Sequence, residues 1–559
     1  MYTPLNQVIS PTNEQRHEML RDLLSNAGRL EDYDYIVSLL NPPPDIMNYA
    51  PPGLLRGARI GILGGGLAGM TAAFELRKLG ADITILEALE DRIGGRVYTY
   101  YFNNESYGEF GAMRFPISHE TTWYYINQFG LTTLPLTSPV RNNFLYVHNT
   151  RLRTSDSVQE MLYPLYKLTP QERSTPWPEL NSYALEHAYL ELPPKIRAQL
   201  LQILPEYAPE YLPLINLSVR QNFEALGLSQ GAINLISDVD PGIGALLNYS
   251  YSEIASGEYT FDFRNTFHIE GGNYNLPYAF YQSFADPAPS QYGNIPKNLI
   301  GSVKYKAGHY VNGIYQSPYR NKVVIRYTDL CDHKDKAEIF DYCICTLPFS
   351  SLRVVEVKPY FSNLKMQAIL ELNYCDAQKT NFLCNRRFWE RPTDYGNMIG
   401  GISFTDLPIQ FIIYPSDHNL CIGEPGCSPE EPGVLLASYN YSQNATRLGN
   451  LSKQRRFEVI RQNVEEVHGL PRGFLNSIVE QSKTVHWNTE PTFLGGFALM
   501  LPEQKKVFAY EMLRPEYNNR VFFAGEHTSN KHGWMQGALY TGKLAANMLA
   551  ESAKKQIDF

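Results

Sequence analysis

No stretch of about 18 consecutive apolar residues occurs in the 559-residue sequence, so no helix able to cross a bilayer is expected. The opening segment, MYTPLNQVISPTNEQRHEML, has no basic stretch leading into an apolar core, which speaks against Sec, twin-arginine and transit leaders and for a cytoplasmic location. Runs of Lys and Arg are missing, and 49 of them face 57 Asp and Glu for a net charge of -8. Nucleic acid and membrane surfaces are therefore not expected partners. The seven cysteines (331, 343, 345, 375, 384, 421 and 427) include no CxxC pair and are odd in number, which argues against a disulfide framework or a metal site and for reduced, buried thiols. No internal repeat and no Ser-His-Asp set is seen. What the chain has in abundance is tyrosine, 39 residues, suited to half-buried hydrogen-bonded interiors.

One segment carries a specific chemistry. In RIGILGGGLAGMTAAFELRKLGADITILEALEDRIGGR, Ile60 to Leu63 reads as a buried strand broken by Gly64, Gly65 and Gly66. Gly64 permits the turn, Gly66 lets backbone approach a pyrophosphate, and Gly69 lets the next helix pack on the strand. That helix, from about Leu67 and Ala68 to Leu79, aims its free N-H groups and positive dipole end at the phosphates. Ile83 to Leu86 forms a second strand ending in Glu87 and Ala88, where the acid can accept from ribose hydroxyls and disfavours a 2'-phosphate. The expected ligand is a dinucleotide other than NADP.

The next residues separate FAD from NAD. Arg92, Gly94, Gly95 and Arg96 spell RxGGR, which resembles the motif following the Rossmann unit in the amine oxidase branch of the glutathione-reductase-like flavoproteins. In that branch the glycines pass beside the flavin and the second arginine meets the pyrophosphate. The resemblance implies FAD and a fold of α/β character: a Rossmann-type FAD-binding domain, a mixed-sheet substrate domain and a helical insertion. The pattern along the chain divides accordingly. Residues 1–55 form a helical lead, with Thr12 and Gln15 as a capping box. FAD-binding segments span 56–100, 266–352 and 483–559, substrate-binding segments 101–150 and 353–482, and a helical domain 151–265.

The tail, NRVFFAGEHTSNKHGWMQGALYTGKLAANML, is similar to the end of the flavin amine oxidases, where FAGE places an acid near the ribityl chain. Gly525 and Glu526 take those positions. His532, Gly533 and Trp534, followed by Met535, match the L-amino-acid oxidases and tryptophan 2-monooxygenases, in which the glycine carbonyl accepts from the substrate amine and the tryptophan walls the pocket. In GAMRFP, Ala112 and Met113 precede Arg114, an arginine with apolar neighbours that requires an anionic partner if desolvated. Arg114 resembles the arginine that grips the substrate carboxylate in those two families.

Three further positions rest on the resemblance alone. Lys379, in NYCDAQKTNFLC, matches a lysine that holds a water against flavin N5. Tyr414, in LPIQFIIYPSDH, matches a tyrosine that shares the carboxylate, although its neighbour Ile413 stands where relatives carry an aromatic. Trp487, in HWNTEPTFLGGF, matches a pocket residue, and Val303 falls in a strand of the cofactor domain. The matching regions are roughly 56–120, 265–415 and 483–550. The implied reaction is oxidation of an L-amino acid by hydride transfer from Cα, with dioxygen as acceptor, giving 2-oxo acid, ammonia and hydrogen peroxide. Decarboxylation to an amide is the close rival. A monoamine or polyamine oxidase has no use for the arginine, and a vestigial flavin-bearing binding protein would not need every pocket group. Homodimers are common in this family. Asp238, Asp240 and Asp262 in the insertion make a cationic substrate side chain conceivable, and an aromatic pocket equally so.

Overall fold

Continuous apolar strands pair in parallel when helices cover both faces. The computed structural model, which describes residues 8–136, 142–317, 321–421 and 427–557, has such a sheet at its centre. Its five strands run in the order Ser302–Lys306, Asp82–Leu86, Arg59–Leu63, Tyr342–Cys345, Val521–Phe523, all parallel. Five chain segments thus meet with their carboxyl ends on one edge, the edge where open α/β sheets bind ligands. The helix Leu67–Arg77 is buried along its whole length. It is held close on two sides: a Cβ at Gly69 would lie 2.1 Å from the Gly64 carbonyl oxygen, and one at Gly542 2.4 Å from that of Ala68. The second contact seats the long C-terminal helix Met535–Ile557.

A seven-stranded mixed sheet forms the other large body, in the order Val479–His486, Ala377–Cys384, Gly433–Tyr441, Phe411–Ile413, Ile402–Thr405, Phe144–Val147, Thr150–Arg153. Between Arg153 and Thr266 every regular element is a helix or 3-10 turn. The lead forms the helix Asn13–Asn26 with the Thr12–Gln15 capping box in place. Its buried Arg16 makes a two-pronged pair with Glu120, at 2.9 and 3.0 Å. The opening residues MYTPLNQ, on which the reading of a missing leader partly rests, lie outside the described residues.

The cysteine expectation needs one correction. Cys421 and Cys427 are joined in a disulfide, a local link that spacing without a CxxC signature does not announce. Cys343, Cys345, Cys375 and Cys384 are buried thiols and Cys331 is exposed. No described helix is long and apolar enough to cross a membrane.

Candidate active site

A cavity of about 1320 Å³ begins at the carboxyl edge of the parallel sheet, passes the seven-stranded sheet and reaches the helix Asn13–Asn26. At the nucleotide end the backbone does the shaping. Gly64 has φ +103°, and Gly66 faces open space, since a Cβ there would meet nothing within 4 Å. No side chain caps the helix that starts at Leu67, so its first N-H groups remain available to phosphate. Glu87 ends the second strand with one oxygen on the Gly65 amide (2.6 Å) and the other on the Leu89 amide (2.9 Å). Burial raises its carboxyl above the usual range, and those two amides oppose the shift. Ala88, Gly94, Gly95, Arg96, Ala112, Met113, Gly525, Glu526 and Met535 line the same wall.

Three expected cofactor residues stand elsewhere. Gly69 lies behind the turn as a packing contact. Arg92 turns away, its guanidinium donating to the Gly95 carbonyl and lying 4.2 Å from the Tyr98 ring centre, so it braces the glycine loop. Val303 is mid-strand, paired with Ile83 well short of the carboxyl edge. The chain beside Glu87 is instead Lys306 to His309: the Glu87 amide donates to the Lys306 carbonyl (2.9 Å) and the His309 amide to that of Glu87 (2.7 Å).

Glu526 joins the two ends of the site. Arg96 donates to one of its oxygens (2.7 Å) and the Gly533 amide to the other (3.0 Å). Burial alone would raise this carboxyl; Arg96 first, then His532 and His527, bring it below the usual range. Gly533 has φ +75°, a left-handed conformation that glycine adopts without strain. Trp534 then stands in the wall, edge-on to His119 at 5.0 Å and tilted against Phe263 at 5.8 Å.

The segment Phe110 to Arg114 threads between these parts. Gly111 touches the Arg96 carbonyl so closely that a Cβ would sit 1.8 Å from it. Phe110 offers its carbonyl to the Trp487 indole (3.0 Å), and Gly111 offers its own to Lys379 Nζ (2.7 Å). Arg114 follows, half-buried in the cavity wall, 5.1 Å from the Phe263 ring centre. Among the described residues it has no hydrogen bond and no carboxylate in ion-pair contact. Burial pushes its guanidinium below the ordinary range, while Tyr441, Tyr439 and Asp262 pull the other way. It remains a cation.

Alternation on the strands decides which other side chains arrive. Residues 377 and 379, 402 and 404, 411 and 413, and 439 and 441 all face the cavity, a strict period of two. Tyr414, expected beside Arg114, is one step out of phase. It points through the sheet, with its hydroxyl on Ser403 Oγ (2.8 Å) and His468 Nε2 (2.9 Å). Ile413 takes the cavity position, and the tyrosines there are Tyr439 and Tyr441 of the neighbouring strand, with ring centres 4.7 Å apart. Lys379 pairs with Tyr439 in register and sets its ammonium 4.2 Å from that ring. Glu109 was also missed, though it lies beside GAMRFP. It accepts from Thr99 Oγ1 (2.9 Å) and the Asn273 amide (2.7 Å), which ties down the segment leading to Arg114. Burial raises the Glu109 carboxyl and lowers Lys379, each group easing the shift of the other. Of the insertion acids, Asp262 is locked by Lys531 (2.9 Å) and His119 (3.1 Å), Asp240 caps a helix, and Asp238 faces His148 and Tyr166 away from the cavity.

Fold and site together define a dinucleotide-binding oxidoreductase whose cofactor channel opens into a pocket with the unpaired guanidinium of Arg114 in its wall. A model of the flavin-containing amine oxidoreductases matches residues 67–550, and the chain belongs to that family. The relatives are informative in kind. YobN of Bacillus subtilis (strain 168), whose name places it provisionally among the L-amino-acid oxidases, is 31% identical over 493 residues, covering 86% of this chain and 92% of its own. The L-amino-acid oxidase of Daboia russelii is 28% identical over 492 residues, covering 87% of both chains. A structure of putrescine oxidase bound to putrescine superposes with a TM-score of 0.63 at 13% identity, over 90% of this chain and 99% of that one, a likeness of fold.

Proposed function

We propose that the protein is an FAD-dependent L-amino-acid oxidase, converting an L-amino acid to 2-oxo acid, ammonia and hydrogen peroxide. The observation that carries this reading is Arg114: a half-buried guanidinium in the wall of the cavity, without an anion of the protein's own among the described residues. Leaving such a group unpaired is costly unless a ligand carboxylate completes it. The named L-amino-acid oxidases that align with most of the chain support the same choice.

The residues present fit FAD. Gly64, Gly66 and the uncapped helix start at Leu67 would hold the pyrophosphate, Glu87 the ribose, and Arg96 and Glu526 the stretch toward the ring. When bound, the flavin supplies the two-electron acceptor for the Cα hydride and returns the electrons to dioxygen. The protein contributes position and charge. Arg114 binds the carboxylate, Tyr439 or Tyr441 donates a second hydrogen bond to it, and the Gly533 carbonyl orients the amine. Phe263 and Trp534 give the pocket apolar wall beside Arg114. Holding one carboxylate and one amine fixes Cα between them, and orientation of this kind contributes several kcal/mol to rate. Lys379 spends one Nζ proton on the Gly111 carbonyl (2.7 Å), and its other donors could hold a water beside the cofactor.

The test is Arg114→Ala in flavin-loaded protein. Loss of a desolvated charge partner should cost about 2 to 5 kcal/mol in kcat/KM, with flavin retained. Near-parental kcat/KM would refute the assignment. Carbon dioxide and an amide among the products would replace the oxidase with a decarboxylating monooxygenase.

A further inference from the structure

Apart from Glu18 and Asp22, which are exposed on the lead helix, charge accounting along the cavity lining leaves one acid as conspicuous as Arg114. Glu526 is matched by Arg96, Asp262 by Lys531 and His119, and Glu253 by His532 at 2.7 Å. Asp240 spends its carboxylate on two helix amides. Glu258, on the helix Tyr251–Tyr259, lines the same cavity, yet its carboxylate takes part in no hydrogen bond or ion pair among the described residues. Arg264, an exposed residue of the same cavity lining, makes no ion pair with it and only partly offsets the negative charge that Glu186, Asp240 and Asp262 add around it.

We infer that Glu258 reads the substrate side chain, and that the preferred substrates are L-amino acids with a cation at the end of an aliphatic stem, the chemistry of lysine, ornithine and arginine. This rests on Arg114 as the carboxylate site. A zwitterion with a distal cation would satisfy both half-buried unpaired groups of one cavity, Arg114 and Glu258. Its stem would be covered by apolar wall, for Ile254 precedes Glu258 by one helical turn and Ile243, Leu246 and Phe263 line the same space. Burial among like charges raises the Glu258 carboxyl to about 7, the condition of an acid lacking its cation.

L-Lysine and L-norleucine, which differ by the terminal amine, separate the outcomes in holoprotein through anaerobic flavin bleaching and peroxide kcat/KM. Lysine should exceed norleucine by about 10-fold or more, and Glu258→Gln should lower the lysine-to-norleucine ratio about 100-fold, as for a lost charge partner. A parental ratio of one or less, or a ratio unmoved in Glu258→Gln, overturns the inference while leaving the oxidase reading intact. Should neither amino acid, nor any other L-amino acid, bleach the flavin, both readings fall. If Glu258→Gln does not retain flavin, the parental ratio and Glu258→Asp decide by the same criteria.

Discussion

The cavity has two ends built by different means. At the nucleotide end a continuous stretch, Arg59 to Arg96, supplies glycines, a helix start and one acid, and offers a ligand mainly backbone. At the pocket end single side chains come from far apart: Arg114, Lys379, Tyr439, Trp534 and Glu258. Backbone sites tolerate changes of side chain but not of Cβ; side-chain sites invert that tolerance.

The largest effect should come from two neighbouring glycines that test this contrast within one turn. Gly69→Ala forces a methyl into the Gly64 carbonyl, and overpacking against backbone should destabilise the fold by about 3 kcal/mol or more. Gly66→Ala meets no protein atom at a φ of -78°, so the apoprotein should keep its Tm within about 0.5 kcal/mol in stability terms and lose flavin affinity instead. Thermal unfolding of stripped protein alongside flavin titration reads both. Equal loss of stability in the two variants would erase the distinction.

A smaller effect, on acid stability, separates the ends by their buried imidazoles. His468, behind the pocket sheet, accepts from the Tyr414 hydroxyl at Nε2 and donates from Nδ1 to the Tyr395 carbonyl (2.7 Å), a neutral arrangement. Burial lowers its pKa to about 4, with Arg153 and Arg151 adding to the shift against the Tyr395 carbonyl. Because the folded value lies below the unfolded one, its contribution is complete above pH ~6.5 and declines as pH falls toward 4, by at most about 1.4 kcal/mol per pH unit. Buried carboxylates such as Glu258 act in the opposite sense over part of that range. The histidine is therefore read as the difference in unfolding free energy between parent and His468→Gln. That gap should shrink from pH 7 to pH 5; a constant gap would mean that the imidazole does not stay neutral.

The same division explains what could be read from sequence. The βαβ unit, the capping box at Thr12 and the carboxyl-edge strands were legible because each is encoded within a few residues and by local physics. Arg114 stands out in sequence because an arginine between Met113 and Phe115 has few reasons to be there, and the structure sets it in the cavity wall without a partner among the described residues. Tyr414 was misplaced because strand phase at the end of Phe411–Ile413 depends on a partner strand, and one residue reverses the face. Val303 was misplaced because its distance from the carboxyl edge is set by register with Asp82–Leu86. Glu258 carries no local signal at all; only the pairing of the other half-buried and buried acids of the cavity singles it out.

The smallest effect puts that register to the test. If Tyr439 faces the substrate and Tyr414 faces His468, removal of each hydroxyl must have different consequences although Tyr439 sits on one strand and Tyr414 directly follows the strand beside it. Tyr439→Phe should leave Tm unchanged and reduce kcat/KM by roughly 10-fold, the ~1.5 kcal/mol at the low end for one hydrogen bond to a carboxylate. Tyr441→Phe, two residues along the same face, should act in the same way if the hydroxyls share the task. Tyr414→Phe should do the reverse, costing about 1 to 2 kcal/mol of stability by stranding Ser403 and His468, with kcat/KM within two- to three-fold of the parent. A kinetic defect confined to Tyr414→Phe would show that the strand sits one residue out of the register described, and would move Ile413 out of the pocket with it.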